Sequence, residues 1–338
     1  MSQGVRAKVK FIELKKKLAE KISNVYLISG NDRFLCYKAL EQIEKKLALS
    51  LPDMNSVVMQ GDTVDPREIV ESASMFAFGD MYRLVVVKDF NPKVAGAKKS
   101  PAESVLDEYI VNPNPQSVLV FFNIDGDEFF KNLRSKLEFV DCSKLELSSL
   151  VSVIIADLKK QGVEISQDDA KMLALYCNSD MARIESEMQK LASFAAKSGV
   201  ITALDIKENV VEDKEYQIFE LSELLSKGKK FEALEMVQVL SMHGRSGFSI
   251  LTPLYNNFRR VLFTAINPEK RDSEIAEALG VKEYAIKMCR AQAKAFTPRK
   301  LKKIVDMLAA ADKNIKVGKI KEDVAVKTII IDILEMRG

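Results

Sequence analysis

From Val25 onward, short apolar runs alternate with segments of helical period. VYLISG is apolar throughout and ends in Gly30, and FLCYKALEQIEKKLAL follows with Leu35, Ala39, Ile43 and Leu47 on one face. NSVVMQGD, RLVVVKDF, SVLVFFNID and LEFVDC repeat the strand pattern, with helical stretches between them, up to about residue 145. The run SVLVFFNID has no polar alternation, the mark of a strand buried on both faces. Strands of this kind separated by helices predict a parallel α/β sheet. Beyond it the strand signals stop. SSLVSVIIADLKKQG, QDDAKMLALYCN and MARIESEMQKLASFAAKSG are helical, with turns at Gly162, Asn178 and Gly199, and from Glu212 every segment is helical. The pattern divides the chain into an α/β domain (1–145), a small helical domain (146–211) and a larger helical domain (212–338). The arm at 1–20 is left without an assigned element, as a segment free to be disordered.

The stretch DPREIVESASMFAFGDMYRLVVV, residues 65–87, is a helix running into a strand. Asp65 can cap it and Pro66 suits its first position. At about 100° per residue, Ile69, Val70, Ala73, Phe76 and Ala77 share one face, while Met75 and Phe78 point away from it. The helix thus ends in more apolar surface than one face can hide, unless every one of these residues is core.

With 338 residues, 47% hydrophobic and 29% charged, the chain can build real cores. A net charge of +3 favours no polyanionic partner. Cys36, Cys142, Cys177 and Cys289 are widely spaced, without a CxxC, and the one histidine, His243, sits in a Gly–Arg loop, so neither a zinc site nor a histidine-based active site is expected. No apolar run of about 18 residues is present. The basic N-terminal stretch lacks a signal core, and a cytoplasmic protein is expected.

The α/β segment and the small helical domain resemble an AAA+ ATPase module. Its P-loop would need G-x-x-x-x-G-K-[ST] after the first strand. SGNDRFLCYKAL keeps Gly30 and lacks the second Gly, the Lys and the hydroxyl residue, while Lys38 lies more than a turn into the helix. Asp89 is followed by Phe90, so the paired acids for magnesium are missing. Asp125, Asp127 and Glu128 fit a helix cap better than a metal site. No catalytic residue, cofactor or metal is expected.

Taken in order, VYLISGNDRFL, SMFAFGDMYRLVVVKDF, EMQKLASF, FELSELLSKGKKFEAL, ILTPLYNNFRRVLF, EIAEALGVKEYAIK and AAADKNIKVG resemble the delta subunit family of bacterial DNA polymerase III, over nearly the whole chain from about residue 22. The resemblance implies an AAA+-like parallel sheet without a P-loop, followed by two all-α domains. It implies a non-catalytic clamp-loader subunit that binds and opens the sliding clamp (the beta subunit) during DNA replication, within the DNA polymerase III holoenzyme, a nucleotidyltransferase complex. Its partners would be the clamp, the ATP-binding gamma or tau subunits and delta-prime in a hetero-pentamer, and primed DNA. The family's clamp-binding element, Ser, a large aliphatic residue, then Phe, falls on Ser74, Met75 and Phe76, with Phe78 as a possible rim contact; Met stands where Leu is usual.

An alternative is a DNA-binding regulator. Residues 273–293 have helix-turn-helix spacing, with Ile275 and Ala276 inside, Gly280 at the turn, and Val281 and Ile286 packing the second helix. That helix would offer Lys282, Glu283, Lys287 and Arg290. Arg259 and Arg260, or Arg299, Lys300, Lys302 and Lys303, form further basic groups that fit a solvated face as well as a nucleic-acid contact.

Overall fold

The computed structural model describes residues 8–90, 101–124, 129–130, 133–242 and 247–337. These fall into two compact units, Met1–Leu145 and Glu146–Gly338. Asp125, Asp127, Glu128 and His243 lie outside the described residues, as does the segment 91–100.

The first unit runs β1 (Val9–Lys10), α1 (Phe11–Glu20), β2 (Val25–Gly30), α2 (Arg33–Leu47), α3 (Pro52–Asn55), β3 (Ser56–Gln60), α4 (Pro66–Ser74), β4 (Arg83–Lys88), α5 (Pro101–Val111), β5 (Ser117–Ile124) and β6 (Glu138–Asp141). Its sheet is six-stranded, in the order β1-β6-β2-β5-β4-β3. Every pairing is parallel. This is the expected AAA+-like layout. β5 lies between β2 and β4 and is buried from Ser117 to Asn123, on both faces as its unbroken apolar run predicts. Leu35, Ala39, Ile43 and Leu47 all face inward along α2.

The N-terminal arm departs from its sequence reading. Val9 pairs with Val140 at the sheet edge, and Lys8 meets the Asp141 carboxylate at 2.8 Å. Leu14 and Leu18 bury one stripe of α1. That stripe is two leucines wide among lysines, and its strand partner lies about 130 residues away, so periodicity alone carried little signal.

The second unit comprises α6 (Leu147–Lys160), β7 (Glu164–Ile165), α7 (Gln167–Tyr176), α8 (Met181–Phe194), β8 (Val200–Ile201), α9 (Ala203–Asn209), α10 (Lys214–Lys227), α11 (Lys230–Met242), α12 (Gly247–Ala265), α13 (Asp272–Leu279), α14 (Glu283–Ala293), α15 (Pro298–Lys316) and α16 (Glu322–Glu335). Among its described residues the only strands are β7 and β8, which pair in parallel over two residues each, a bridge too short to show as a strand pattern. The turn residue Asn178 links the helices before and after position 211. Its side chain accepts from the Tyr284 hydroxyl at 2.6 Å and donates to Glu215 at 3.1 Å, while its carbonyl accepts from the Lys282 ammonium. Glu215 is in turn paired with Arg260 at 2.8 Å.

Candidate functional site: the apolar end of helix α4

Asp65 starts α4 as expected, its carboxylate accepting the Arg67 N–H at 2.7 Å. Ile69 and Ala73 are fully buried against the sheet. The helix stops at Ser74, because Met75 is extended (φ −66°, ψ 148°). Side chains from elsewhere in the unit take the carbonyls that a further turn would have used. The Tyr109 hydroxyl donates to Ala73 O at 2.9 Å, and the Asn114 amide reaches Ser74 O at 3.3 Å and Met75 O at 3.4 Å. Burial pushes the Tyr109 hydroxyl above its ordinary pKa, so it remains a donor.

This termination corrects the helical wheel. Extrapolated past Ser74, the wheel puts Phe76 on the inner face; with the helix ended, Phe76 is 80% exposed. Ser74 is exposed as well, Met75 is 47% exposed and Phe78 64%. All four sequence-derived residues therefore lie on one short surface segment. Met81, 74% exposed, and Met54 and Leu51 of the neighbouring α3 region add exposed apolar surface that the sequence reasoning missed. Such a concentration of large exposed apolar side chains marks an interaction surface.

The segment is held by a set of polar contacts. Asn55 is fully buried; its amide donates to Phe78 O at 2.8 Å, and its carbonyl oxygen accepts the Phe78 N–H at 2.7 Å. The Asp80 carboxylate accepts from Ser50 N at 2.9 Å, Leu51 N at 3.1 Å and the Asn55 amide at 2.8 Å. These bonds, led by the Ser50 and Leu51 N–H groups, hold the Asp80 carboxyl below its usual value. Gly79 between them has φ +71°, which glycine adopts without strain. Arg83 ties Ser72 O and Met54 O together at 3.0 and 2.8 Å. Asn55, Asp80, Arg83 and Asn114 escaped sequence reasoning because a lone polar residue near a strand reads as an ordinary turn.

The turn between β2 and α2, the place of a P-loop, makes contacts of its own. Gly30 packs directly on the Cys142 backbone. Asp32 N donates to Cys142 O at 3.1 Å, and the Asp32 carboxylate accepts Leu35 N at the start of α2. A carboxylate thus sits at the helix terminus that would otherwise attract an anion. The four cysteines are buried, and burial pushes the Cys177 and Cys289 thiols up to about 12. Among the described residues no cluster of His, Cys, Asp or Glu could hold a metal, and no helix is long and apolar enough to cross a membrane.

The pair α13–α14 packs as its spacing predicts, with Ile275, Ala276 and Ile286 in one cluster and Gly280 at φ +63°. The charges of the second helix are engaged within the chain. Lys287 pairs with Glu283 at 2.8 Å, Arg290 with Asp272 at 2.8 Å, and Lys282 bonds Asn178. Tyr284, Ala285, Cys289 and Gln292 are buried.

An AAA+-like α/β unit without P-loop residues, joined to a mostly helical unit, defines the class. Within it, the family model of the DNA polymerase III delta subunit matches residues 26–143, and the model of that family's C-terminal domain matches residues 215–333. The chain belongs to the DNA polymerase III delta subunit family, a component of the clamp loader. It is 26% identical to DNA polymerase III subunit delta of Bacillus subtilis, over 92% of this chain and 93% of that protein. It is 22% identical to a probable delta subunit of Aquifex aeolicus, over 85% of each chain. The solved structure of the Bacillus subtilis DNA clamp loader delta protein superposes with a TM-score of 0.73 at 25% identity, covering 96% of this chain and 99% of that one.

Proposed function

We propose that this chain binds the sliding clamp through Met75 and Phe76, with Ser74 at the helix end and Phe78 at the rim, and helps to open it. The observation that carries the proposal is the exposure of these side chains on a segment with fixed hydrogen bonds. Buried in an apolar pocket of the clamp, Met75 and Phe76 would supply roughly 3–6 kcal/mol in gross terms, before association costs. Met replaces Leu at little cost, being similar in volume and more adaptable. Opening follows from differential affinity: a loader protein that prefers the open clamp shifts the equilibrium by that preference and no further.

In this proposal the chain contributes no ATP hydrolysis and needs no cofactor. The missing P-loop residues and the Asp32 carboxylate at the start of α2 support that. ATP-binding gamma or tau subunits would drive the cycle, with delta-prime completing a hetero-pentamer joined by the helices of 212–338, acting on primed DNA in the cytoplasm. A helix-turn-helix regulator has less support, since the cations of α14 are held within the chain.

The test is binding of the purified chain to the beta clamp of the same organism, wild type against the double variant Met75→Ala, Phe76→Ala. Binding lost in the double variant supports the proposal. Binding that survives moves the contact, with Phe78 next. No wild-type binding overturns it and makes α13–α14 the element to test on DNA.

A further inference from the structure

Asn55 is fully buried, yet every polar atom of its side chain is directed at the docking segment. The carboxamide pairs with both backbone groups of Phe78, donating at 2.8 Å and accepting at 2.7 Å, as a neighbouring strand residue would. Its amide also donates to Asp80, which holds the N–H groups of Ser50 and Leu51. The two side chains therefore join the start of α3 to the segment carrying Met75, Phe76, Phe78 and Met81. The Phe78 and Met81 side chains face solvent, so they do not anchor the segment in a core. Their backbone is fixed by this polar pair and by Gly79, whose left-handed φ turns the chain between Phe78 and Asp80.

We propose that Asn55 and Asp80 are positioning residues that lock the 75–81 segment in its binding conformation before the partner arrives, an inference that rests on the docking role of Met75 and Phe76. A surface segment left to sample many conformations would have to be ordered on binding, and that ordering weakens affinity and slows productive encounter. A pre-set segment avoids that loss. The latch acts through the backbone of Phe78.

The test uses the full chain and the beta clamp of the same organism, with association and dissociation rates measured together with amide hydrogen exchange at Phe78. Asn55→Ala should weaken clamp binding by about ten-fold or more and speed Phe78 exchange, with Met75 and Phe76 untouched. Asp80→Ala, which removes the acceptor of the Ser50 and Leu51 N–H groups and of the Asn55 amide, should likewise weaken binding and speed Phe78 exchange. Faster Phe78 exchange in a chain that keeps its cooperative melting is a result that a general loss of structure would not give, and Asp80→Ala carries the test should Asn55→Ala lose that melting. Wild-type binding with Asn55→Ala equal to it, or Asp80→Ala with unchanged binding and unchanged Phe78 exchange, overturns the latch while leaving the docking role intact. Absence of wild-type binding overturns the docking role itself, and with it the latch as a device for binding.

Discussion

Gly30 and Cys142 meet backbone to backbone: a Cβ on Gly30 would lie 2.1 Å from the Cys142 carbonyl carbon. The contact locks the β2–α2 turn onto the end of β6. Gly30→Ala must push two strands' ends apart. It should cost about 1–3 kcal/mol in urea unfolding, more than an exposed alanine substitution, which stays within about 0.5 kcal/mol.

Phe76 and Ile69 lie two turns apart on one predicted face and have opposite surroundings, one exposed and one fully buried. Phe76→Ala should leave stability within about 0.5 kcal/mol of wild type while weakening clamp binding. Ile69→Ala should cost about 2–5 kcal/mol. Thermal or urea unfolding beside a clamp-binding assay separates the two. A large stability loss in Phe76→Ala would return that residue to the core.

Ser222, Asn257 and Gln292 form a buried polar triad joining α10, α12 and α14. Asn257 donates to the Ser222 hydroxyl at 2.7 Å and to Gln292 at 3.1 Å. Asn257→Leu removes two of the triad's three bonds and leaves Ser222 and Gln292 only their mutual bond at 3.0 Å within it, and should destabilise by about 1–3 kcal/mol. Adding Gln292→Leu should cost less than the sum of the single changes, since the Asn257–Gln292 bond that each single change breaks is lost only once. Additive losses would show that the triad is not coupled.

Burial, then the neighbouring Glu212 and Glu223 carboxylates, push the Glu220 carboxyl above its usual value. Its unfolded counterpart ionises at the ordinary value, so from there upward the folded state is penalised; below it both states are protonated and the penalty vanishes. Glu220→Gln should therefore raise the urea midpoint at neutral pH and lose that advantage in acid. An advantage independent of pH would assign the effect to packing.

Some elements were legible in the sequence because their cause is local. The inward face of α2 follows from Leu35, Ala39 and Ile43 repeating at helical spacing, and the double burial of β5 from an unbroken apolar run. Gly280 marks the α13–α14 turn because glycine alone takes that φ freely. The P-loop departures are visible as missing residues.

What the sequence by itself determined is thus the type and inward face of most elements, and the short stretch where apolar surface exceeds one helical face. Tertiary structure alone decided where α4 stops, and so which way Phe76 points. Periodicity records which side of an element is buried; it is silent on who accepts the last carbonyls. Here those partners are Tyr109 and Asn114, about 40 residues downstream, and the partner of Phe78 is Asn55, before the helix begins. Polar pairs formed across such separations have no period, so they become visible only when the fold brings their segments together.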